Sequence, residues 1–209
     1  MLIIILLIVI SYLIGSIPTA YIFGRLIKGI DIRKSGSGNV GATNALRVLG
    51  KAAGVTVLLL DILKGFIVVI FIGNLIGFFG SKFQNQADLR LILGMSCIAG
   101  HIWTVFLNFK GGKGIATTFG VLLGLATVIP GLRIILFLII LTWLSVFFIT
   151  KIVSISSVVG ALTLPIYMLL YRQSLFFIIS SVILSTFVIY RHKSNLKRLS
   201  QGKESRLFK

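Results

Sequence analysis

Apolar residues in this chain collect into blocks close to the length of a membrane span, divided by short polar or glycine-rich breaks. A helix needs about 20 mostly apolar residues to cross a bilayer. Seven blocks approach that requirement, at 2–23, 53–79, 89–109, 115–129, 132–150, 152–171 and 174–190. Lipid offers backbone N–H and C=O groups no partner, so each block is expected to be helical. The fold class this predicts is an all-α polytopic membrane protein with seven transmembrane helices, forming a single domain over 1–209. A mean hydropathy of +1.08 and an apolar fraction of 57% exceed the roughly one-half usual in soluble domains. Residues 2–10 lack a basic leading region and a small-residue cleavage site, so they read as a retained first span. Pro130 and Gly131 break the fourth block from the fifth. Lys151 alone separates the fifth from the sixth, which predicts a very tight turn.

Charge orients these spans. The chain carries 21 basic residues against four acids, Asp31, Asp61, Asp88 and Glu204, for a net charge of +17. With seven spans, 16 basic residues fall on the side that receives segment 24–52, Lys110, Lys113, Lys151 and the tail after Tyr190. The opposite side receives four: Lys82, Arg90, Arg133 and Arg172. Positive charge marks the cytoplasmic side, so the N-terminus is expected outside and the C-terminus in the cytoplasm. The excess of positive charge follows from this sidedness, and no soluble basic face exists to track a nucleic acid. On this topology two glycine-rich loops and the basic tail share the cytoplasmic face and are expected to converge on one site.

The first loop, SGNVGATNALR (37–47), follows Ser35 and Gly36, giving glycines at 36, 38 and 41. Glycine admits positive φ and close approach to a ligand, and successive amides can form an anion-binding nest. Ser37, Asn39, Thr43 and Asn44 add neutral donors. Arg47 supplies a planar fork suited to phosphate. The second loop, FKGGKGIATT (109–118), resembles a nucleotide P-loop but departs from it, because Gly114 follows Lys113 where Ser or Thr is required. What remains is a Gly111–Gly112 turn carrying Lys110 and Lys113 at the start of a helix, whose N-terminus also favours anions. Asp61 and Lys64 lie three apart inside the second block, where charges normally pair in the protein interior. His101 sits near the cytoplasmic end of the third block. His192 and Asn195 share a face if the tail begins as a helix. Ser154, Ser156 and Ser157 open the sixth block, where a hydroxyl either caps the helix or donates to a ligand.

What is missing is also informative. Cys97 is the only cysteine, which excludes a disulfide framework within the chain. With only His101 and His192, a histidine-rich zinc site is excluded, and no metal or cofactor is expected. No Ser-His-Asp set and no His-x4-Asp dyad is present; five positions beyond the two histidines stand Phe106 and Lys197. A site rich in cations and poor in bases binds anions, and the substrate itself can supply the base. The alternative reading is a membrane transporter of phosphate or an organic phosphate. It is disfavoured because the cationic residues sit at one edge and the halves show no repeat.

The stretches SGNVGATNALR, GHIWTVFLNFKGGKGIAT and RHKSNLKRLSQGKE, in this order and with DILKG at 61–65, resemble the bacterial acyl-phosphate:glycerol-3-phosphate acyltransferases of the PlsY family. The family tail usually reads His-Arg-Glu-Asn-Ile, where this chain has His192, Lys193, Ser194, Asn195 and Leu196. The resemblance implies a seven-span protein of the bacterial inner membrane with its active site facing the cytosol. It implies transfer of a fatty acyl group from acyl phosphate to the 1-hydroxyl of sn-glycerol 3-phosphate, without an acyl-enzyme. The lipid bilayer is then the surrounding partner and a monomer is expected. The implied catalytic set is Ser37, Arg47, Lys113, His192 and Asn195. Asn39, Gly41, Thr43, Asn44, Lys110, Gly111, Gly112 and Ser154 would bind substrate, with His101, Asp61 and Lys64 in support. Within that set, the first loop would cradle the donor phosphate. Arg47, Lys113, Ser154, His192 and Asn195 would hold glycerol 3-phosphate.

Overall fold

The computed structural model of the chain describes residues 2–78 and 85–207. Phe79, at the end of the second block, and Lys82 and Lys209, used in the charge count, lie outside the described residues. Every regular element among the described residues is helical. The chain forms two compact units, Met1–Val128 and Ile129–Lys209.

Among the described residues, five helical stretches are long and apolar enough to cross a membrane: Leu2–Lys28, Lys51–Gly77, Gln86–Leu107, Gly131–Thr150 and Val153–Leu170. A sixth is reached if Leu175–Arg191 and Lys193–Ser200, bent by 54°, count as one. The fourth block forms a shorter apolar helix of 14 residues, Ile115–Val128. At 1.5 Å per residue it is about 21 Å long, less than the ~30 Å hydrocarbon core. The glycine loop before it and Pro130 after it set that length.

In the first unit, α1 (Leu2–Ser16) stops at Ile17 and Pro18, and α2 (Thr19–Lys28) restarts beyond them. Proline has no N–H to continue the helix, so the break exposes carbonyls that lipid cannot satisfy. The Thr104 hydroxyl donates to Ser16 O at 2.5 Å and the Lys64 ammonium to Ile17 O at 3.2 Å. Helix α3 (Ala42–Leu49) follows the first glycine loop and packs on α4 (Lys51–Ile67). A π turn, Val68–Ile72, joins α4 to α5 (Gly73–Phe78). Such a turn disturbs the regular helical hydrogen-bond ladder. Buried Arg90 donates to Val69 O at 2.6 Å and to Asn74 Oδ1 at 2.7 Å, over a Gly73 whose missing side chain makes room for the guanidinium.

Helix α6 (Gln86–Ile102) lies against α1 through small residues. A Cβ on Gly15 would sit 2.0 Å from Cys97 O, and one on Gly100 would sit 2.1 Å from Tyr12 O. Helix α7 (Ile115–Val128) meets α4 in the same way, with Gly120 over Ile62 O and Gly65 over Thr117 O. Small residues let membrane helices approach to backbone contact, where packing rather than water exclusion provides the attraction.

The second unit holds α8 (Gly131–Thr150), α9 (Val153–Leu170), α10 (Leu175–Arg191) and α11 (Lys193–Ser200). The tight turn expected at Lys151 is present, with that residue in the left-handed region at φ 59°. Polar bonds tie the helices: Thr142 to Tyr167 at 2.8 Å, and Ser185 Oγ to Ala161 O at 2.5 Å.

Gly100→Leu should force α1 from α6 and destabilise the detergent-solubilised protein by about 1–3 kcal/mol or more, read as a lower unfolding temperature. Gly77→Ala, where a Cβ meets nothing within 4 Å, should leave that temperature unchanged.

Candidate functional site

The first glycine loop is built around one side chain. Asn44, 1% exposed, accepts the Ser37 amide at 2.8 Å through Oδ1. Its Nδ2 donates toward Ile32 O, Ser35 O and Asn39 O at 3.3, 3.1 and 3.0 Å. Gly36 and Gly38 take φ of 60° and 71°, and a Cβ on Gly36 would strike Asn44 Oδ1 at 2.3 Å. The approach to the loop is braced by Asp31, which accepts from the Arg33 amide at 3.0 Å and pairs with its guanidinium at 2.7 Å. That hydrogen bond from Arg33 holds the Asp31 carboxyl down at about 2. Arg25 and Arg33 each lie over the Tyr21 ring, 5.2 Å from its centroid.

Gly41 caps α3 without a side-chain bond, so the first amides of that helix, Ala42 and Thr43, have no partner within it. Ser37 and Arg47 are exposed, and Asn39 and Thr43 are half-buried. The loop therefore presents hydroxyls, a guanidinium and a helix N-terminus, while Asn44 is turned inward to hold its shape.

The second loop is fastened to the end of α6. Asn108 and Phe109 both occupy the left-handed region, at φ 52° and 59°, which is costly for residues with side chains. The strain turns the chain back on itself, so that the Gly111 amide donates to Ile102 O at 3.1 Å and the Gly112 amide to His101 O at 3.0 Å. These amides hold the loop to the helix, as the Ser37 amide holds the first loop. A Cβ on Gly111 would sit 2.1 Å from His101 O. One on Gly112 would meet His101 Nε2 at 2.2 Å and Val40 O at 3.0 Å. Gly112 is thus the point where the two loops touch. Lys110 is exposed and Lys113 half-buried beside it.

Beneath the loops lies the pair predicted from the second block. Lys64 Nζ stands 2.8 Å from Asp61 Oδ1 and 2.9 Å from His101 Nδ1. Thr19 Oγ1 donates to Asp61 Oδ1 at 2.7 Å. Thr19 had no signal in the sequence beyond its place after a proline.

In the second unit Ser154 and Asn195 gather on Glu204, an acid that closes the third motif stretch and was given no site role there. Glu204 Oε1 accepts from Ser154 Oγ at 2.8 Å and from Asn195 Nδ2 at 2.5 Å, and Oε2 pairs with Arg198 at 2.8 Å. Ser156 and Ser157 instead donate to Ile152 O and Val153 O at the start of their own helix, so Ser154 is the serine set apart. The Leu207 amide closes the tail onto Lys151 O at 2.9 Å. His192 is buried at the bend into α11, with Nδ1 2.8 Å from Val188 O. The signal for Glu204 was available: it is the only acid after Asp88. Burial opposes its ionisation, but the bonds from Asn195, Ser154 and Arg198 outweigh that and hold its carboxyl below the ordinary 4.5.

The profile of the glycerol-3-phosphate acyltransferase family matches residues 5–202. A glycerol-3-phosphate acyltransferase of Fusobacterium nucleatum is 41% identical over 199 residues, covering 95% of each chain. Another, of Desulforamulus reducens, is 41% identical over 94% of this chain and 92% of its own. Among solved structures, the glycerol 3-phosphate form of PlsY (YgiH), an integral membrane glycerol 3-phosphate acyltransferase, superposes with a TM-score of 0.83. It shares 33% identity and is covered over 94% of its length, with 97% of this chain. Its lysophosphatidic acid form gives 0.79. The chain belongs to the glycerol-3-phosphate acyltransferase family.

Because the Glu204 carboxyl titrates below its ordinary value, its clamp is fully present above pH 4.5 and is lost as pH falls through the lower folded value. A spin label on Ser205→Cys should be immobile at neutral pH and loosen only in that acid range. With Glu204→Gln, mobility should no longer follow pH.

Proposed function

We propose that this protein transfers a fatty acyl group from acyl phosphate to the 1-hydroxyl of sn-glycerol 3-phosphate, yielding 1-acylglycerol 3-phosphate and inorganic phosphate. The observation that carries this reading is the contact of the two glycine loops at Gly112, with Arg47 on one and Lys113 on the other. Family membership supplies the acceptor and the product class, since the related structures are described with glycerol 3-phosphate and with lysophosphatidic acid.

Acyl phosphate is a mixed anhydride whose leaving group is already good, so no covalent intermediate is needed. The acceptor oxygen attacks the acyl carbon and the bond from that carbon to the phosphate oxygen breaks. The hydroxyl proton passes to the departing phosphate. What the protein must supply is tolerance of two phosphates at close range. Ser37, Asn39, Gly41 and Thr43, with the first amides of α3, bind the donor phosphate, and Asn44 holds them in place. Arg47 and Lys113 offset charge as the phosphates approach. Ser154, His192 and Asn195 hold the glycerol phosphate, and Lys110, Gly111 and Gly112 set the position of Lys113. Orientation of this kind contributes on the order of 7–11 kcal/mol to lowering a barrier.

The topology we propose counts α7 as a seventh span despite its length. The N-terminus is then outside, with the basic loops and tail in the cytoplasm of a bacterial inner membrane, as the distribution of Lys and Arg requires.

Arg47→Ala and Lys113→Ala should each lower turnover by about 10²–10³-fold while the purified protein stays folded; near-normal transfer by either would remove the assignment. Side-by-side assays with palmitoyl phosphate, an acyl-CoA and an acyl carrier protein should show glycerol 3-phosphate-dependent product only with the first. Equal use of acyl-CoA would mean a different donor.

A further inference from the structure

Lys64 makes contacts that fix the state of a neighbouring ring. Its ammonium lies 2.8 Å from Asp61 Oδ1, 3.2 Å from Ile17 O and 2.9 Å from His101 Nδ1. An ammonium has three hydrogens and no lone pair. Each of the three hydrogens meets one of those three contacts, so His101 Nδ1 accepts and carries no proton, even though Asp61 Oδ1 also approaches that nitrogen to 3.6 Å. The ring proton then belongs on Nε2. A second proton on the ring would set an N–H against the ammonium at 2.9 Å. The Nε2 edge faces the second glycine loop: Gly112 lies so close that a Cβ would be 2.2 Å from Nε2 and 2.9 Å from Cε1. The carbonyls of His101 and Ile102 hold the amides of Gly112 and Gly111.

We infer that Lys64 locks His101 as a neutral imidazole protonated on Nε2, and that this ring edge sets the position of the Gly111–Gly112 turn and hence of Lys113. His101 is a positioning residue and takes no proton from substrate. Asp61 and Thr19 complete the device, since they hold Lys64 at the ring: Thr19 bonds the same carboxylate oxygen that pairs with the ammonium. The tautomer rests on the 2.9 Å contact of Lys64 prevailing over the 3.6 Å approach of Asp61 at the same nitrogen, whereas its kinetic consequence rests on the acyl transfer proposed above. His192 is set the opposite way. Its Nδ1 lies 2.8 Å from Val188 O, and a carbonyl only accepts, so there the proton is on Nδ1.

The chain has just two histidines, so nitrogen NMR of histidine-labelled protein in detergent reads both, with His192→Gln assigning the signals. The expected result near neutral pH is an unprotonated Nδ1 and a protonated Nε2 at His101, and a protonated Nδ1 at His192. An imidazolium, or a proton on Nδ1, at His101 overturns the inference. Lys64→Met leaves the Asp61 carboxylate as the charged group facing Nδ1, 3.6 Å away, so a proton should appear on Nδ1; an unchanged spectrum overturns the role of Lys64. If that variant does not fold, the unsubstituted protein's spectrum still decides the ring state.

The kinetic arm compares two amides. His101→Asn keeps an acceptor where Nδ1 stood but removes the N–H at Nε2, and His101→Gln restores an N–H there. Asn is expected to lower kcat/KM by about 10²-fold and Gln to recover about tenfold of it. Equal loss in both overturns the positioning role. If the unsubstituted protein transfers nothing from acyl phosphate, the functional reading fails while the spectrum still judges this one.

Discussion

The Lys64–Asp61 ion pair is the interaction around which the first unit is organised. Placing two charges in an apolar interior is tolerated only if each finds a partner and further hydrogen bonds. Lys64 meets that demand by joining α4 to the broken end of α1 and to the last turn of α6. Asp61 adds the start of α2 through Thr19. The demand is local, yet its solution brings four helices together and, through His101, reaches the second glycine loop. At the π turn Arg90 ties α6 to the neighbouring segment through Val69 O and Asn74.

Glycine serves two separate purposes here. At positions 15, 65, 100 and 120 it lets helices touch backbone to backbone, and any side chain would meet a carbonyl within 2.5 Å. At 36, 38 and 114 it supplies positive φ. The second kind shapes the loops that carry Arg47 and Lys113; the first kind holds the helices that carry those loops. In the second unit a carboxylate takes over the organising role, as Glu204 draws Ser154, Asn195 and Arg198 together and the tail closes at Lys151. Each unit therefore holds helices together on an internal ionic contact, Lys64 with Asp61 in the first and Arg198 with Glu204 in the second.

Much of this was legible from the apolar blocks. Whereas the first block is broken at Ile17 and Pro18 and the α-helix of the third ends at Ile102, the later blocks gave their helices to within a residue or two, because lipid leaves a backbone no alternative. The breaks at Pro130 and Lys151 were readable for the same reason. Asp61 and Lys64 were expected to pair from their spacing of three. Less legible was the split between residues that face a ligand and residues that hold a loop. Asn39 and Asn44 look alike in the sequence, yet Asn44 is buried with its amide committed to four backbone groups. The glycine amides of the second loop likewise read as anion donors, but those of Gly111 and Gly112 are committed to α6.

Composition and spacing by themselves determined that this is an all-helical chain of membrane-spanning character, with its cations gathered into two loops and a tail. Hydrophobicity and charge act residue by residue, so a string of residues suffices to express them. The tertiary structure decided which polar groups meet: His101 with Lys64, Gly112 with Val40, Glu204 with Ser154. Those meetings join positions 37, 72 and 50 residues apart in the chain. They depend on helix crossings set by glycine contacts, and no local pattern encodes the distance between two helices.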